Sequence, residues 1–290
     1  MTQRCNLNCS YCHREGEQSS SVEMTPEEIC RIVAVALELG IQNIKLTGGE
    51  PTVRNDIVDI VSRIGKLSGL RDFSMTTNGT LLKKYAEALH SAGLMRVNVS
   101  LPTLNETKYR ALTGGAVKDV IEGVKAAVKA GLYPVKLNMV ILKGFNDGEL
   151  LDMIDFARST GAILQLIELE PVNIDESYYR KYHKELDSFE SYLKAEAKDI
   201  KLRPHMNNRR IYILDEVNVE VVKPIENTEF CMHCTRIRLT SDGKLKPCLM
   251  RNDNLIDILT PLRKGVDVNV LKEIFIRAIK AREPFFKKRD

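Results

Sequence analysis

The chain has 290 residues, 43% hydrophobic and 28% charged, with 43 basic side chains against 39 acidic ones and a formal charge of +4. That composition is ordinary for a globular enzyme and excludes a disordered, collagenous or low-complexity chain. No apolar run approaches the roughly 18 residues of a membrane span, and no apolar stretch follows a basic start. Neither a membrane partner nor a secretory signal is therefore expected, and the expected location is the cytoplasm. The balanced charge does not call for a nucleic-acid partner, though it suits an anionic small substrate.

In chain order, the first signal is Cys5-Asn-Leu-Asn-Cys9-Ser-Tyr-Cys12, a C-x3-C-x2-C spacing. Thr25-Pro26-Glu27-Glu28 then reads as a helix start with Thr25 as N-cap and Glu28 closing a capping box. Ile29, Ile32, Val33, Ala36 and Leu37 give its apolar stripe, and Gly40 its stop. Alternating strands and helices follow: strands over 43–47, 71–76, 95–100, 135–142 and 163–169, helices over 55–67, 81–92, 117–130 and 147–159. Repeated βα units with short connections predict a parallel sheet closed or partly closed into a barrel. An open doubly wound sheet is the alternative.

The strands are not continuously apolar, as parallel strands covered on both faces would be. Polar residues recur at alternate positions: Lys45 and Thr47; Ser74, Thr76 and Asn78; Asn98 and Ser100; Lys136 and Asn138; Glu168 and Glu170. Alternation puts each set on one face of its strand. A polar face shared by five strands predicts a solvated, substrate-filled lumen. After Pro171 the pattern changes to charged, Tyr-rich helix over 175–198, strands within 200–225 (including 211–214 and 217–222), and an amphipathic helix over 268–282. Lys287-Lys288-Arg289 reads as a solvated tail.

Seven cysteines, an odd number, argue against a disulfide framework. Six form two triplets, Cys5/Cys9/Cys12 and Cys231/Cys234/Cys248; Cys30 falls on a predicted helix and reads as a buried, inert thiol. Three thiolates in one loop can hold three irons of a cubane cluster and leave the fourth iron without a protein ligand. Zinc is the competing occupant, with His13 as a fourth ligand at the first triplet and His205 or His233 at the second. Asp242-Gly243 predicts a tight hairpin turn. Pairing around it sets Cys248 opposite Ile237 and puts Arg236 and Arg238 on one face beside the second triplet.

The first triplet, with Tyr11 before its third cysteine, resembles the radical S-adenosylmethionine (radical SAM) superfamily. Gly48-Gly49-Glu50-Pro51, Thr76-Thr77-Asn78-Gly79 and Asn98-Val99-Ser100-Leu101, each at a strand end, fit the same resemblance. The second triplet, C-x2-C-x13-C with Arg236 and Arg238 between its cysteines, closely resembles the GTP 3′,8-cyclase family, over nearly the whole chain. The resemblance implies an α/β fold: a partial (βα)6 barrel over 1–170 and a C-terminal region over 171–290 carrying a second cluster. It implies two [4Fe-4S] clusters, on Cys5, Cys9 and Cys12 and on Cys231, Cys234 and Cys248. S-adenosylmethionine would meet Tyr11, Gly49 and Ser100; GTP would meet Lys45, Thr76, Lys136, Arg236 and Arg238. No side chain is assigned as acid, base or nucleophile. The implied reaction is the radical conversion of GTP to (8S)-3′,8-cyclo-7,8-dihydroguanosine 5′-triphosphate, the first step of molybdenum cofactor (molybdopterin) biosynthesis. It begins with hydrogen abstraction at the ribose C3′, with the guanine anchored by the second cluster in a closed, dry lumen. Implied partners are a flavodoxin or ferredoxin as electron donor and a downstream cyclic pyranopterin monophosphate synthase, with a homodimer as a candidate assembly.

Four departures stand out against the family pattern. Gln165 stands where many bacterial members have a GTP-binding arginine, and Glu170 where a SAM-contacting Met is usual. Pro102 replaces a common acidic residue, and the terminal Gly-Gly of many bacterial members is absent. Met1-Thr2-Gln3-Arg4 is too short for the strand expected ahead of Cys5, so that strand, with a further arginine contact to GTP, is expected to be missing. Two other functions fit parts of the pattern: a peptide-modifying radical SAM enzyme with an auxiliary cluster, and a zinc-binding interaction module.

Overall fold

The capping box at Thr25 forms as the sequence predicts: Glu28 N donates to Thr25 Oγ1 (3.2 Å) and Thr25 N to Glu28 Oε2 (2.9 Å). It opens α1 (Pro26–Glu38), which buries Ile29, Ile32, Val33 and Ala36. The computed structural model describes residues 1–18, 20–204 and 206–286. The basic tail at Lys287-Lys288-Arg289 and the candidate ligand His205 lie outside the described residues. From α1 the chain runs through β1 (Asn43–Leu46), α2 (Ile57–Gly65), β2 (Asp72–Thr77), α3 (Leu82–Ser91) and β3 (Arg96–Ser100). Next come α4 (Glu106–Thr113), α5 (Val117–Lys129), β4 (Lys136–Ile141), α6 (Leu150–Thr160) and β5 (Ile163–Glu168). Helix α4 has no counterpart in the sequence reading. It is only eight residues long, but Asn105 caps it by accepting from Lys108 N (3.0 Å).

β1 to β5 pair in sequence order, all parallel, and β1 is an edge strand. The sheet does not stop at residue 170. Helices α7 (Glu176–Tyr182) and α8 (Asp187–Glu196) lead into β6 (Asp199–Arg203), β7 (Arg209–Ile213) and β8 (Asn218–Val222). β8 pairs parallel with β5 as a sixth parallel strand, while β7 and β6 extend the sheet antiparallel beyond it. The sheet order is β1-β2-β3-β4-β5-β8-β7-β6, a partial barrel open at both edges. After α9 (Thr228–Met232), a small sheet pairs β9 (Arg238–Leu239), β10 (Lys244–Lys246) and β11 (Ile256–Asp257). The chain ends in α10 (Leu259–Arg263) and α11 (Val268–Lys280).

One face of the large sheet packs on the helices. Phe73, Met75, Val97, Val99, Leu137, Met139, Leu164, Leu166 and Val219 are fully buried there, against stripes such as Ile57, Ile60 and Ile64 of α2. Register shows the opposite face to be the polar one. Lys45 pairs with Ser74 and Ser74 with Arg96; Thr76 with Asn98 and Asn98 with Lys136. Ser100 pairs with Asn138, Asn138 with Gln165 and Gln165 with Glu220. The predicted polar face is thus observed on β1 to β4. On β5 it needs correction. Gln165 is in phase with Asn138, which places Glu168 on the other face, where it is buried and meets His183 Nε2 at 2.9 Å. No helix among the described residues is long and apolar enough to cross a membrane.

Candidate active site

The first cysteine triplet lies in a loop fastened from four sides. Gly49 N donates to Thr2 O (2.7 Å) and Glu50 N to Arg4 O (2.8 Å). The approach is so close that a Cβ on Gly49 would sit 2.3 Å from Arg4 O, so glycine is required by packing as much as by any ligand. Asn8 N and Ser10 N donate to Thr113 O and Leu112 O, both 2.9 Å, at the end of α4. Asn78, after β2, donates to Asn6 Oδ1 (2.8 Å) and lies 3.8 Å from Cys5 Sγ. Finally, Lys246 Nζ, on the distant hairpin, donates to Gly16 O (2.6 Å).

Glu50 organises the loop ends, and the sequence reading gave it no role. Its carboxylate is fully buried and accepts from Thr52 N (3.0 Å), Thr52 Oγ1 (2.5 Å), Thr77 Oγ1 (2.7 Å) and Asn78 N (2.6 Å). One acceptor thereby ties the glycine turn after β1 to the turn after β2. Burial pushes its pKa up, and these hydrogen bonds oppose that shift.

All seven cysteines are free. Burial, then the neighbouring Cys12 and Cys5 sulfurs, push the Cys9 thiol up to about 12. Leu7 N donates to Cys5 Sγ (3.4 Å). Sulfurs that repel one another's negative charge, with N–H donors beside them, fit a shared cationic iron–sulfur core. Among the described residues, no three His, Cys, Asp or Glu groups gather around the position of one metal ion. His13 Nδ1 accepts from Glu15 N (2.9 Å) and His233 Nδ1 meets Glu229 O (3.0 Å), so both candidate zinc ligands have other partners at that nitrogen. Cys30 is half-buried on α1 rather than fully buried as expected. Tyr11 packs with Leu112, Leu142 and Leu169, and burial holds its hydroxyl well above the usual phenol range.

At the second triplet, Cys231 lies next to the last residue of α9, Cys234 N donates to Cys231 O (3.2 Å), and Cys248 follows β10. Burial opposes the Cys234 thiolate. The Arg236 N–H, the charges of Arg282 and Arg236, and the Asn207 side chain outweigh it and hold this thiol below its usual range. The hairpin differs from the prediction by one residue. Leu245 pairs with Leu239 and Lys246 with Arg238, so the loop holds three residues, 241–243, with Gly243 left-handed (φ 80°). Such a three-residue loop ending in a left-handed glycine is a common hairpin form. The register slip removes the predicted pairing of Cys248 with Ile237. The fold ties this loop to the first triplet's segment, since Glu17 accepts from Ser241 N (3.1 Å) and Ser241 Oγ (2.6 Å).

Between the triplets the polar face is strongly cationic. Lys45 and Arg236 are exposed, so the lumen is open rather than closed and dry. Burial, then the charges of Arg96, Arg236, Lys136 and Arg209, push Lys45 down to about 7. Lys136 is buried and ion-paired with Glu220; burial pushes it down to about 8. Arg96 is occupied by Asp72 through two bonds of 2.7 and 2.5 Å. Arg238 lies 3.9 Å from Glu15, whose carboxylate accepts from Thr47 Oγ1 (2.6 Å). Among the described residues Glu170 Oε2 is buried without a hydrogen-bond partner, and burial raises its pKa while His13 and Arg238 counteract. Thr76 and Ser100 are half-buried on the same polar face. The sequence reading missed Arg203, Arg209 and Glu220, because the strands carrying them lie beyond the βα repeat.

Comparison with known proteins agrees with this geometry. Residues 1–157 match the Radical SAM superfamily model and residues 162–288 match Molybdenum Cofactor Synthesis C. The "Probable GTP 3′,8-cyclase" of Methanococcus aeolicus is 48% identical over 290 residues, covering 99% of this chain and 95% of the relative. The protein of the same name from Pyrococcus abyssi is 50% identical over 293 residues, covering 99% and 94%. Among solved structures, Streptococcus suis SuiB has a TM-score of 0.68 at 19% identity, covering 93% of this chain and 64% of that one. Its S-adenosylmethionine-bound form gives 0.64 at 19% identity, covering 90% and 63%. The likeness to SuiB is one of fold.

Glu50→Ala strips the acceptor from four hydrogen bonds at once. It is expected to cost about 2–4 kcal/mol, the penalty for leaving buried donors unpaired, read as a lower urea midpoint, and to reduce iron uptake by the first triplet. Unchanged stability would show that this carboxylate does not pin the loops.

Proposed function

The chain belongs to the GTP 3′,8-cyclase family of the radical SAM superfamily, and from that membership we propose how its own residues perform the reaction. It is a radical SAM lyase that converts GTP to (8S)-3′,8-cyclo-7,8-dihydroguanosine 5′-triphosphate, the first step of molybdenum cofactor biosynthesis. The observation that carries this reading is the cationic polar face, with Lys45, Lys136 and Arg236 on or beside it, lying between two free cysteine triplets.

In this reading Cys5, Cys9 and Cys12 hold one [4Fe-4S] cluster and Cys231, Cys234 and Cys248 the other. When bound, the first cluster and S-adenosylmethionine together supply the one-electron chemistry that removes a hydrogen atom from an unactivated carbon. Tyr11 walls that cofactor on its apolar side. The Gly48-Gly49 turn presents backbone to it, and Ser100 offers a hydroxyl from the end of β3. Lys45, Lys136, Arg236 and Arg238 take the triphosphate by charge-assisted hydrogen bonds, and Thr76 adds a hydroxyl. In this reading the cluster on the second triplet takes the guanine end of the nucleotide. Holding both ligands at fixed separation converts an encounter into an intramolecular step. The reading also includes a cytoplasmic setting, a flavodoxin or ferredoxin as donor, a cyclic pyranopterin monophosphate synthase downstream, and a homodimer.

Anaerobic incubation of the reconstituted enzyme with GTP, S-adenosylmethionine and reductant is expected to give 5′-deoxyadenosine and a product of GTP mass. Replacing Cys5, Cys9 and Cys12 with Ala is expected to abolish both. Replacing Cys231, Cys234 and Cys248 is expected to abolish only the GTP-derived product. Normal cyclisation in the second variant would remove the role given to that triplet.

Only protonated Lys45 attracts phosphate, so GTP binding takes up a proton there. With a free pKa of about 7, apparent GTP affinity is expected to fall as pH rises, on the order of tenfold between about pH 7 and 9 by proton linkage. In Lys45→Arg the fall is expected to move up toward the Lys136 range near 8. An unchanged profile would exclude Lys45 from the phosphate site.

A further inference from the structure

The lumen wall holds more positive charge than the residues proposed above account for. Glu220 is fully buried on β8 and serves as the one carboxylate for three cations. It is ion-paired with Lys136, accepts from Arg203 Nη1 (2.9 Å), and has Arg209 Nη1 at 3.8 Å. Gln165 Nε2 also donates to it (2.9 Å). Lys45 and Arg236, which sense Arg209 electrostatically, have no carboxylate within ion-pair distance among the described residues. Among the described residues, these five cations therefore have a single carboxylate, Glu220, within ion-pair distance, while Glu15 and Glu170 act on Arg236 only from farther off. Cations so placed are costly unless an anion neutralises them.

Arg209 is the sharpest case. Its side chain is 95% buried, and its Nε donates to Met206 O (2.9 Å). Among the described residues, neither terminal nitrogen has an acceptor within hydrogen-bond distance; the nearest carboxylate oxygen is the one at 3.8 Å, already bonded to Gln165. Burial and the charge of Arg236 push even this guanidinium down to about 10. A planar fork with two free ends, deep in a cationic lumen, is suited to a phosphate oxygen pair. Strand register explains how it reaches the site. Arg203 pairs with Arg209 across β6 and β7, and Glu220 with Ile211, so all three share the face that bears Gln165.

We propose that Arg209, with Arg203 beside it, is a phosphate-binding residue for the substrate's triphosphate. These two residues restore on β6 and β7 the positive charge that Gln165 does not supply on β5. Glu220 keeps the pair and Lys136 in the wall. The inference rests on the GTP reading for the identity of the nucleotide, but not for the anion site itself.

The test uses holoenzyme with both clusters reconstituted and two separate probes, inorganic triphosphate and guanosine, titrated calorimetrically beside GTP turnover. Arg209→Gln is expected to weaken triphosphate binding and raise the KM for GTP by about tenfold to a hundredfold, the loss of one charge-assisted partner. Guanosine binding is expected to stay the same, and Arg209→Lys to recover part of the loss. Arg203→Gln, at the more exposed member of the pair, is expected to repeat the pattern more weakly. Unchanged triphosphate affinity in Arg209→Gln, in an enzyme that still turns over GTP, would overturn the proposal and leave the GTP reading standing. Equal loss for both probes would make Arg209 part of the lumen frame and overturn it as well. Wild-type enzyme that binds triphosphate through Arg209 yet never converts GTP would sustain the anion site and remove the GTP reading.

Discussion

A lysine ammonium sealed from solvent joins the two ends of this chain. Lys246 is fully buried on β10, and its Nζ donates to Gly16 O and to Asn252 Oδ1, both at 2.6 Å. Such a charge is tolerable only with its donors filled. Burial and the charge of Arg238 already pull its pKa down. The constraint is exact enough to dictate a neighbour: a Cβ on Gly16 would meet Leu249 O at 2.6 Å and Lys246 Nζ at 2.9 Å. Glu17 adds its bonds to Ser241 of the hairpin loop. The segments that carry the two cysteine triplets, more than 200 residues apart in sequence, are therefore held together by fixed contacts rather than through a linker.

That placement gives the cationic face its meaning. A parallel sheet normally buries both faces in apolar side chains. Here one face packs on helices and the other bears Lys45, Lys136, Gln165 and Glu220. Low dielectric around these groups strengthens their attraction for an anion and their mutual repulsion alike. Lys45 shows the repulsion, its pKa pushed down to about 7 by burial first and then by four surrounding cations. A bound triphosphate would reverse that balance. The same wall would then orient the nucleotide, its ribose toward the first triplet and its base toward the second.

Much of this was legible in the sequence where local chemistry decides structure. The capping box at Thr25 and Glu28 is a local pattern, and it forms. The polar alternation on β1 to β4 is a period-two signal, and register carries it across the sheet. The misreadings come from longer-range or finer choices. Glu168 and Glu170 looked like the polar face of β5, but pairing with Asn138 selects Gln165 over Glu168, and Glu170 lies past the strand's end. The hairpin at Asp242-Gly243 gained a third loop residue because Thr240 O and Oγ1 take up Gly243 N and Lys244 N. Helix α4 was too short to show a stripe, although its end holds the cysteine loop. Arg203, Arg209 and Glu220 come together only when β8 joins β5, which no local pattern announces.

The central claim is that one lumen brings the ribose of GTP to the radical chemistry of the first triplet. Deuterium at C3′ of GTP tests it directly, with mass analysis of the 5′-deoxyadenosine formed under anaerobic, reducing conditions. The account predicts deuterium in 5′-deoxyadenosine, in proportion to a GTP-derived product that has lost it from C3′. Unlabelled 5′-deoxyadenosine alongside unchanged GTP would contradict the account.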